Sequence, residues 1–513
     1  MGAKGIPSWR LFRLFAIFCS FLALMALGAR GLAANADHQS SHIMNTDRFF
    51  KALSRQGITA SREGDFWRFD AEDGAQIRAL FPTDGPIEIK ALQQAMIFAR
   101  ARPAPDANGD QPPAAEICLA PDAHPGSKGT PVGLTARAKG FWLPSAIGTD
   151  INCGMRLFAL DGVDAAELQE RLPALRERLR RAFCDAQRNL PARPADFKAL
   201  FEETPGAFAR RMRSGGEGDW RHVSESMERF EDALDLQGVG RGSRLAPPWL
   251  TDASRGVVRD PSLGTLGSGN HFLELGAVDQ VLSREARALG LKPGMATALL
   301  HTGSREVGFH VGSRLMDWAR ELWPAGVAWP EGDHFPMMGA PAREALNGLG
   351  AAARFAWANR LALGALLSRA LGEGLGREIQ IRPLADCAHN MCFEEGGCFV
   401  HRKGAQKARL GDLAITPGSM GDRSYLGRCL GSSLALDSAA HGAGRALSRG
   451  QAAHASEGRD IPFASAPVAN DPRRVKEEAP RAYKDIEAVM KSQVDAGVLA
   501  SIASLRPIVS VKA

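Results

Sequence analysis

The chain has 513 residues, 45% hydrophobic and 23% charged, a balance that excludes a disulfide-stapled peptide, a fibrous repeat or a disordered tail and allows a large core. Its formal net charge of +6 is spread over that length, so a polyanionic partner is permitted without being required. Eight cysteines, at 19, 118, 153, 184, 387, 392, 398 and 429, include no Cys-x-x-Cys pair, which argues against a disulfide framework or a structural zinc cage and for a reduced, intracellular setting.

The first 43 residues pull the other way. Lys4, Arg10 and Arg13 precede an apolar run from Leu14 to Ala29, with small residues at Ala33 and Ala34, the layout of a secretory signal. Three readings stand: an export signal, a membrane anchor, or upstream codons drawn wrongly into the reading frame. The nucleotide chemistry read below favours the third. The expectation is a cytoplasmic protein with no membrane association, beginning at or near Met44, with 1–43 a spurious or signal-like leader and 44–513 one catalytic domain.

In chain order, helical periodicity covers 87–102 and ends at a Pro-rich piece, 103–113. Glu116 to Ala120 reads as a buried strand, and 126–154 as strands and Gly-rich loops. Ala165 to Ala186 carries an amphipathic, Arg-rich helical pattern, read as a solvated face in preference to an RNA-binding surface. The stretch 211–260 reads as loop-rich, 342–371 as an Ala-rich helix, 375–432 as short strands and turns, and 476–504 as helical. Glycine-rich loops separated by helical insertions predict one compact α/β (α+β) catalytic domain.

Several loops carry chemistry-bearing residues. Gly148–Gly154 places Asp150 and Cys153 three residues apart between glycines, able to face one ion. Gly264–Glu274 has three glycines leading into Asn270 and His271, a loop whose amides suit phosphate but which is not a GxxxxGK[ST] loop. His301 and His389 each close an apolar run, where metal sites are often built. Taken singly, each of these histidines is more often structural; together with Asp150 and Cys153 they suggest one shared metal centre. His401-Arg402-Lys403-Gly404 adds concentrated positive charge, and Pro417-Gly418-Ser419-Met420 a flexible hydroxyl-bearing loop. His441, followed by Gly442, Ala443, Gly444 and Arg445, is a candidate nucleophile at phosphorus, with the arginine fork suited to phosphate oxygens. His124, His222, His310, His334 and His454 have no comparable context.

These stretches together resemble the RtcB family of GTP-dependent RNA-splicing ligases. The matching pieces are PDAHPG (121–126), GTDINCGMR (148–156), GTLGSGNHFLE (264–274), HTGSR (301–305), DCAHN (386–390), HRKGA (401–405), PGSMGDRSY (417–425), HGAGRALSR (441–449), AYKDIEAVM (482–490) and the final Val511-Lys512-Ala513. The resemblance implies a fold of the RtcB type, with the metal and nucleotide in a deep cleft. It implies two Mn²⁺ ions on Asp150, Cys153, His271, His301 and His389, the cysteine bridging, and guanylylation of His441. It further implies GMP binding by Asn270, His271, Phe272, Leu273, Glu274, His389, Asn390, Pro417, Gly418, Ser419, Met420, Ser424, His441, Gly442, Ala443, Gly444 and Lys512. The implied reaction joins RNA 2′,3′-cyclic-phosphate or 3′-phosphate ends to 5′-hydroxyl ends with GTP, in tRNA splicing or RNA repair, with basic loops such as Arg402-Lys403 holding backbone phosphates. A Mn-dependent phosphoesterase and a non-catalytic RNA-binding paralogue are the alternatives. Glu306 stands where the family usually has glycine after HTGSR.

Overall fold

The strand Gly154–Asp164 shows how the site is supported. Successive side chains of a strand face opposite ways. Met155, Leu157 and Ala159 therefore join one buried cluster with Leu299, Leu426 and Ile502. Arg156 and Phe158 take the other face, where the Phe158 ring comes up against Gly364 and Arg156 meets Glu231. Truncating Phe158 to alanine would cost about 3–5 kcal/mol.

The computed structural model describes residues 46–82, 88–106, 108–127, 129–454 and 465–513. The chain divides into two units, 1–49 and 50–513. The leader read at 1–43 lies outside the described residues. Among the described residues, no helix is long and apolar enough to cross a membrane.

The larger unit is mixed α/β, built on two sheets. An eight-stranded sheet has seven strands in the spatial order Gln380–Ala388, Gly154–Asp164, Met295–Thr302, Phe272–Val281, Leu499–Lys512, Ser424–Cys429 and Leu413–Thr416, with Val468–Ala469 beside Leu499–Lys512. A seven-stranded sheet runs Ile58–Glu63, Phe66–Ala71, Gln76–Ala79, Glu116–His124, Val132–Ala138, Cys398–Lys403 and Asn390–Glu395. Only His389 separates Gln380–Ala388 in one sheet from Asn390–Glu395 in the other, so a single residue links them.

The Ala-rich helix is longer than its sequence suggested, Gly339–Leu375, and is buried along most of its length. Small side chains let it lie close to its neighbours, and it ends at Gly376 in the left-handed conformation that favours glycine. Three expectations fail. The helical pattern of 165–186 is broken into Ala165–Glu170, Leu172–Leu179 and a π-turn over Arg180–Cys184, because Pro173 cannot continue the first segment. Within 211–260, Glu225–Asp232 is a helix, capped by the Ser224 side chain on the Met227 amide. The end of 476–504 is strand: Leu499–Lys512 has neighbours on both sides, and that pairing overrides local propensity. Of the arginines in the 165–186 segment, Arg180 and Arg181 pair locally with Glu177, at 3.2 and 2.7 Å, while Arg178 reaches Glu373 at 3.2 Å.

Candidate active site

Register explains why the candidate ligand residues meet. Gly154 pairs with Thr302 and with Ala388, and Phe272 pairs with His301. The start of two strands and the end of two others thus fall at one end of the sheet. Asp150 and Cys153 lie in the loop entering the first, His271 immediately before the second, His301 near the end of the third, and His389 just after the fourth.

The distances fall into two trios that share one sulfur. Cys153 Sγ is 3.1 Å from His271 Nε2, which is 3.1 Å from Asp150 Oδ2. The same Sγ is 3.0 Å from His301 Nε2, which is 3.1 Å from His389 Nε2. The donor atoms of Cys153, His271 and His301 all lie within 4.8 Å of one another, and all three residues are buried. His301 Nδ1 sits 3.0 Å from the carbonyl of Asn270, so the proton belongs there and Nε2 presents a lone pair to the cluster. Burial pushes the His301 and His389 pKa values well down, and the neighbouring histidines add to this, so both rings are neutral, as metal ligands must be. Burial also pushes the Cys153 thiol up, with Asp150 adding to it; only a cation in the cluster would draw out its proton. A thiol and facing imidazole lone pairs excluded from water make a metal site.

A layer beneath holds these loops. Arg360, fully buried on the long helix, donates to the carbonyls of Asn152 (2.9 Å) and Thr302 (3.0 Å) and to both oxygens of Asp386. Asn359 beside it accepts the Gly264 amide at 2.7 Å and donates to the Gly303 carbonyl at 3.2 Å. Two adjacent side chains therefore fix all the ligand-bearing segments relative to one another.

His441 follows the short strand Ser438–Ala440 and reaches the same centre: its ring centroid is 4.7 Å from that of His389. Its Nδ1 is 2.6 Å from Asp122 Oδ2, and Asp122 is fully buried in the strand Glu116–His124. The pairing puts a ring proton on Nδ1, where Asp122 accepts it. Gly444, at φ +73°, has no room for a side chain: a Cβ would lie 2.1 Å from the Asp122 carbonyl oxygen.

A cavity of about 560 Å³ opens beside His441, within the usual range for small-molecule sites. Its lining includes Asn270, Phe272, Glu274, His389, Asn390, Pro417 to Met420, His441 to Gly444 and Lys512. Glu274, hydrogen-bonded by Ser510 at 2.8 Å, is raised to about 7 by burial. Lys512 is lowered to about 8, also by burial, with Glu478 opposing. A poised carboxyl and a poised amine face the same enclosed space.

Of the residues expected to bind nucleotide, Leu273 and Ser424 do not line this cavity, because strand alternation turns Leu273 away from the Phe272 and Glu274 side; both are buried. His271 lines a second, more open groove that shares Asp150, Asn270 and Arg449 with this cavity. Two phosphate-binding expectations fail. Arg402 is fully buried and forked onto Glu395 at 2.9 and 3.1 Å, and His401 accepts the Leu143 amide at 2.9 Å, so neither faces solvent; Lys403 lines the cavity. Arg445 is bound to Glu478 at 3.0 Å and to the carbonyls of Leu447 and Glu477, so its fork is already engaged. Conversely, His124, given no context by sequence, lines the cavity, and burial lowers it to about 4. Asp122, Glu478 and Arg360 carried no assigned role. Only Asp122, a lone carboxylate in an otherwise apolar stretch, had a signal that could have found it.

Fold and site define an α/β enzyme in which a buried Cys/His cluster able to hold metal abuts His441 and a ligand-sized cavity. The family model described as tRNA-splicing ligase RtcB matches residues 112–513, and the chain belongs to the RtcB family. It is 34% identical to the RNA-splicing ligase RtcB of Mycobacterium tuberculosis over 429 residues, covering 76% of this chain and 95% of that protein. It is 31% identical to the tRNA-splicing ligase RtcB of Thermococcus kodakarensis (75% and 85% covered) and 31% identical to RNA-splicing ligase RtcB1 of Escherichia coli (77% and 90% covered).

Proposed function

We propose that this protein is an RNA ligase that joins 3′-phosphate or 2′,3′-cyclic-phosphate ends to 5′-hydroxyl ends through GMP carried on His441. The observation that carries the reading is the pairing of His441 Nδ1 with buried Asp122, which aims an unprotonated Nε2 into a cavity bordering the metal cluster. His441 would attack the α-phosphorus of GTP, forming a P–N bond as the bond to pyrophosphate breaks; Asp122 steadies the positive charge that develops on the ring. The RNA 3′-phosphate, once opened from its cyclic form, then takes GMP from the histidine, and the 5′-hydroxyl displaces GMP to seal the strand.

Asp150, Cys153 and His271 would hold one Mn²⁺, and Cys153, His301 and His389 a second. Bound there, the ions supply charge neutralisation and alignment of the phosphoryl groups. Glu274 and Lys512 give the cavity a reason to prefer guanine: an ionised carboxylate accepts from the N–H edge, and the ammonium donates to O6, the reverse of what adenine offers. The remaining GMP contacts fall to Asn270 to Glu274, His389, Asn390, Pro417 to Met420, Ser424 and Gly442 to Gly444. Leu273 and Ser424 act there through backbone or support, since neither lines the cavity. The working domain is 44–513, and the setting is cytoplasmic. Incubating the protein with GTP, Mn²⁺ and two RNA strands, one ending in 3′-phosphate and one beginning with 5′-hydroxyl, tests the reading: a joined product dependent on GTP supports it, and its absence defeats it.

A further inference from the structure

The cavity beside His441 has two walls, one from each sheet. Glu274 and Lys512, on the strands Phe272–Val281 and Leu499–Lys512 of the eight-stranded sheet, form the wall proposed to face guanine. His124, Val132 and Lys403 form the other. Register brings them to one end of the seven-stranded sheet, His124 pairing with Val132 and Lys403 with Leu134. Lys90 joins this second wall from outside both sheets, on the helix Ile89–Ala99. That helix precedes residues 112–513, the stretch the family model matches, so Lys90 is an addition to the matched framework.

The helix is fastened to the cavity at two points. Gln94 donates to the Gly126 carbonyl and accepts the Gly126 amide, both at 2.9 Å. Glu88, at the N-cap, lies 3.7 Å from Lys484 Nζ, which donates to the Ala123 carbonyl at 2.5 Å. Ala123 adjoins Asp122, the partner of His441, so the helix is tied to the segment that fixes the histidine. Lys90 and Gln94 are four residues apart and share one helix face, so the bonds that hold Gln94 to Gly126 turn Lys90 toward the same space.

Charge decides what this wall suits. Among the described residues lining the cavity, the carboxylates are Asp150, in the metal cluster, Glu274, on the opposite wall, and Glu478, engaged by Arg445 at 3.0 Å. None stands on the wall of Lys90, which is exposed and makes no ion pair among the described residues. An ammonium is a compact charge that meets phosphate oxygens without a fixed geometry. With guanine against Glu274 and Lys512 and the α-phosphorus at His441, the outer phosphates of GTP extend away from the base, toward the wall that carries Lys90. We propose that Lys90 binds the β- and γ-phosphates of GTP and so sets the preference of this cavity for a triphosphate over GMP. The proposal rests on the reading of the cavity as a GTP site.

The test reads binding alone. Full-length wild type, Lys90→Ala and Lys90→Arg, each with Mn²⁺, would be titrated with GMP and with guanosine α,β-methylene triphosphate, whose P–C bond keeps GMP from passing to His441. Lys90→Ala should weaken the triphosphate analogue about tenfold while GMP stays within about twofold of wild type, and Lys90→Arg should hold both within about threefold. Equal affinity of Lys90→Ala and wild type for the analogue, an equal loss for GMP and the analogue, or a loss in Lys90→Arg as large as in Lys90→Ala would overturn the proposal. Wild-type protein that binds neither ligand would instead overturn the GTP-site reading, and the proposal with it.

Discussion

One carboxylate oxygen of Asp122 serves His441 twice: it lies 2.6 Å from the ring Nδ1 and accepts the His441 backbone amide at 3.1 Å. The histidine is thereby fixed in position and in tautomer by a single buried group on a strand of the seven-stranded sheet. Asp122→Asn keeps the shape but offers the ring a different partner. It should lower the rate of GMP labelling by about 10²–10⁴-fold while leaving GTP affinity within severalfold, measured by single-turnover labelling and by nucleotide titration. A labelling rate equal to wild type would remove Asp122 from the mechanism.

Cys153 is the one side chain common to both trios of donors. Cys153→Ala should therefore weaken metal binding more than His271→Ala or His389→Ala, each of which belongs to one trio only. Isothermal titration of metal-stripped protein with Mn²⁺ reads this directly. If loss of His389 costs as much affinity as loss of Cys153, the shared role of the sulfur is wrong.

Arg360 joins Asn152, Thr302 and Asp386 from a fully buried position, so its removal leaves Asp386 with an incomplete set of partners. Arg360→Met should lower folding stability by about 3–5 kcal/mol, the usual cost of breaking a buried ion pair. Arg360→Lys keeps the charge but cannot reach all three segments, and should lower Mn²⁺ affinity out of proportion to its effect on the thermal midpoint. Metal affinity and thermal midpoint falling together in the lysine variant would make Arg360 a folding residue only.

Glu274 and Lys512 predict the pH range of nucleotide binding. Glu274 is raised to about 7, so below that pH it is neutral and loses its acceptor role; Lys512 is lowered to about 8, so above that pH it loses its charge. Affinity for GTP should peak between about 7 and 8, falling on the acid side as Glu274 protonates and on the alkaline side as Lys512 deprotonates. Glu274→Gln should flatten the acid limb and bring the affinities for GTP and ATP closer together. An unchanged acid limb in that variant would show that another group titrates.

Much of this site is legible in the sequence because its chemistry depends on residue type. Asp150, Cys153, His271, His301 and His389 stand in glycine-bracketed or strand-terminal contexts that few structural residues share, and the structure gathers them at one sheet end. What escapes is whatever depends on distant partners. Arg360 looks like one more residue of an Ala-rich helix, and only the fold sets it beneath three loops. Arg402 and Arg445 look like phosphate ligands until Glu395 and Glu478, remote or unremarkable in sequence, are seen to hold them. The final strand Leu499–Lys512 follows directly on a helix, and its pairing with Ser424–Cys429 and Phe272–Val281 decides its conformation.

The central claim is that His441 carries GMP. Protein incubated with α-labelled GTP and Mn²⁺, then denatured and separated on a gel, should retain a label that acid removes, as a phosphoramidate requires, and that is absent from His441→Ala. A label that persists in His441→Ala, or no label on the wild type with Mn²⁺ present, would contradict it.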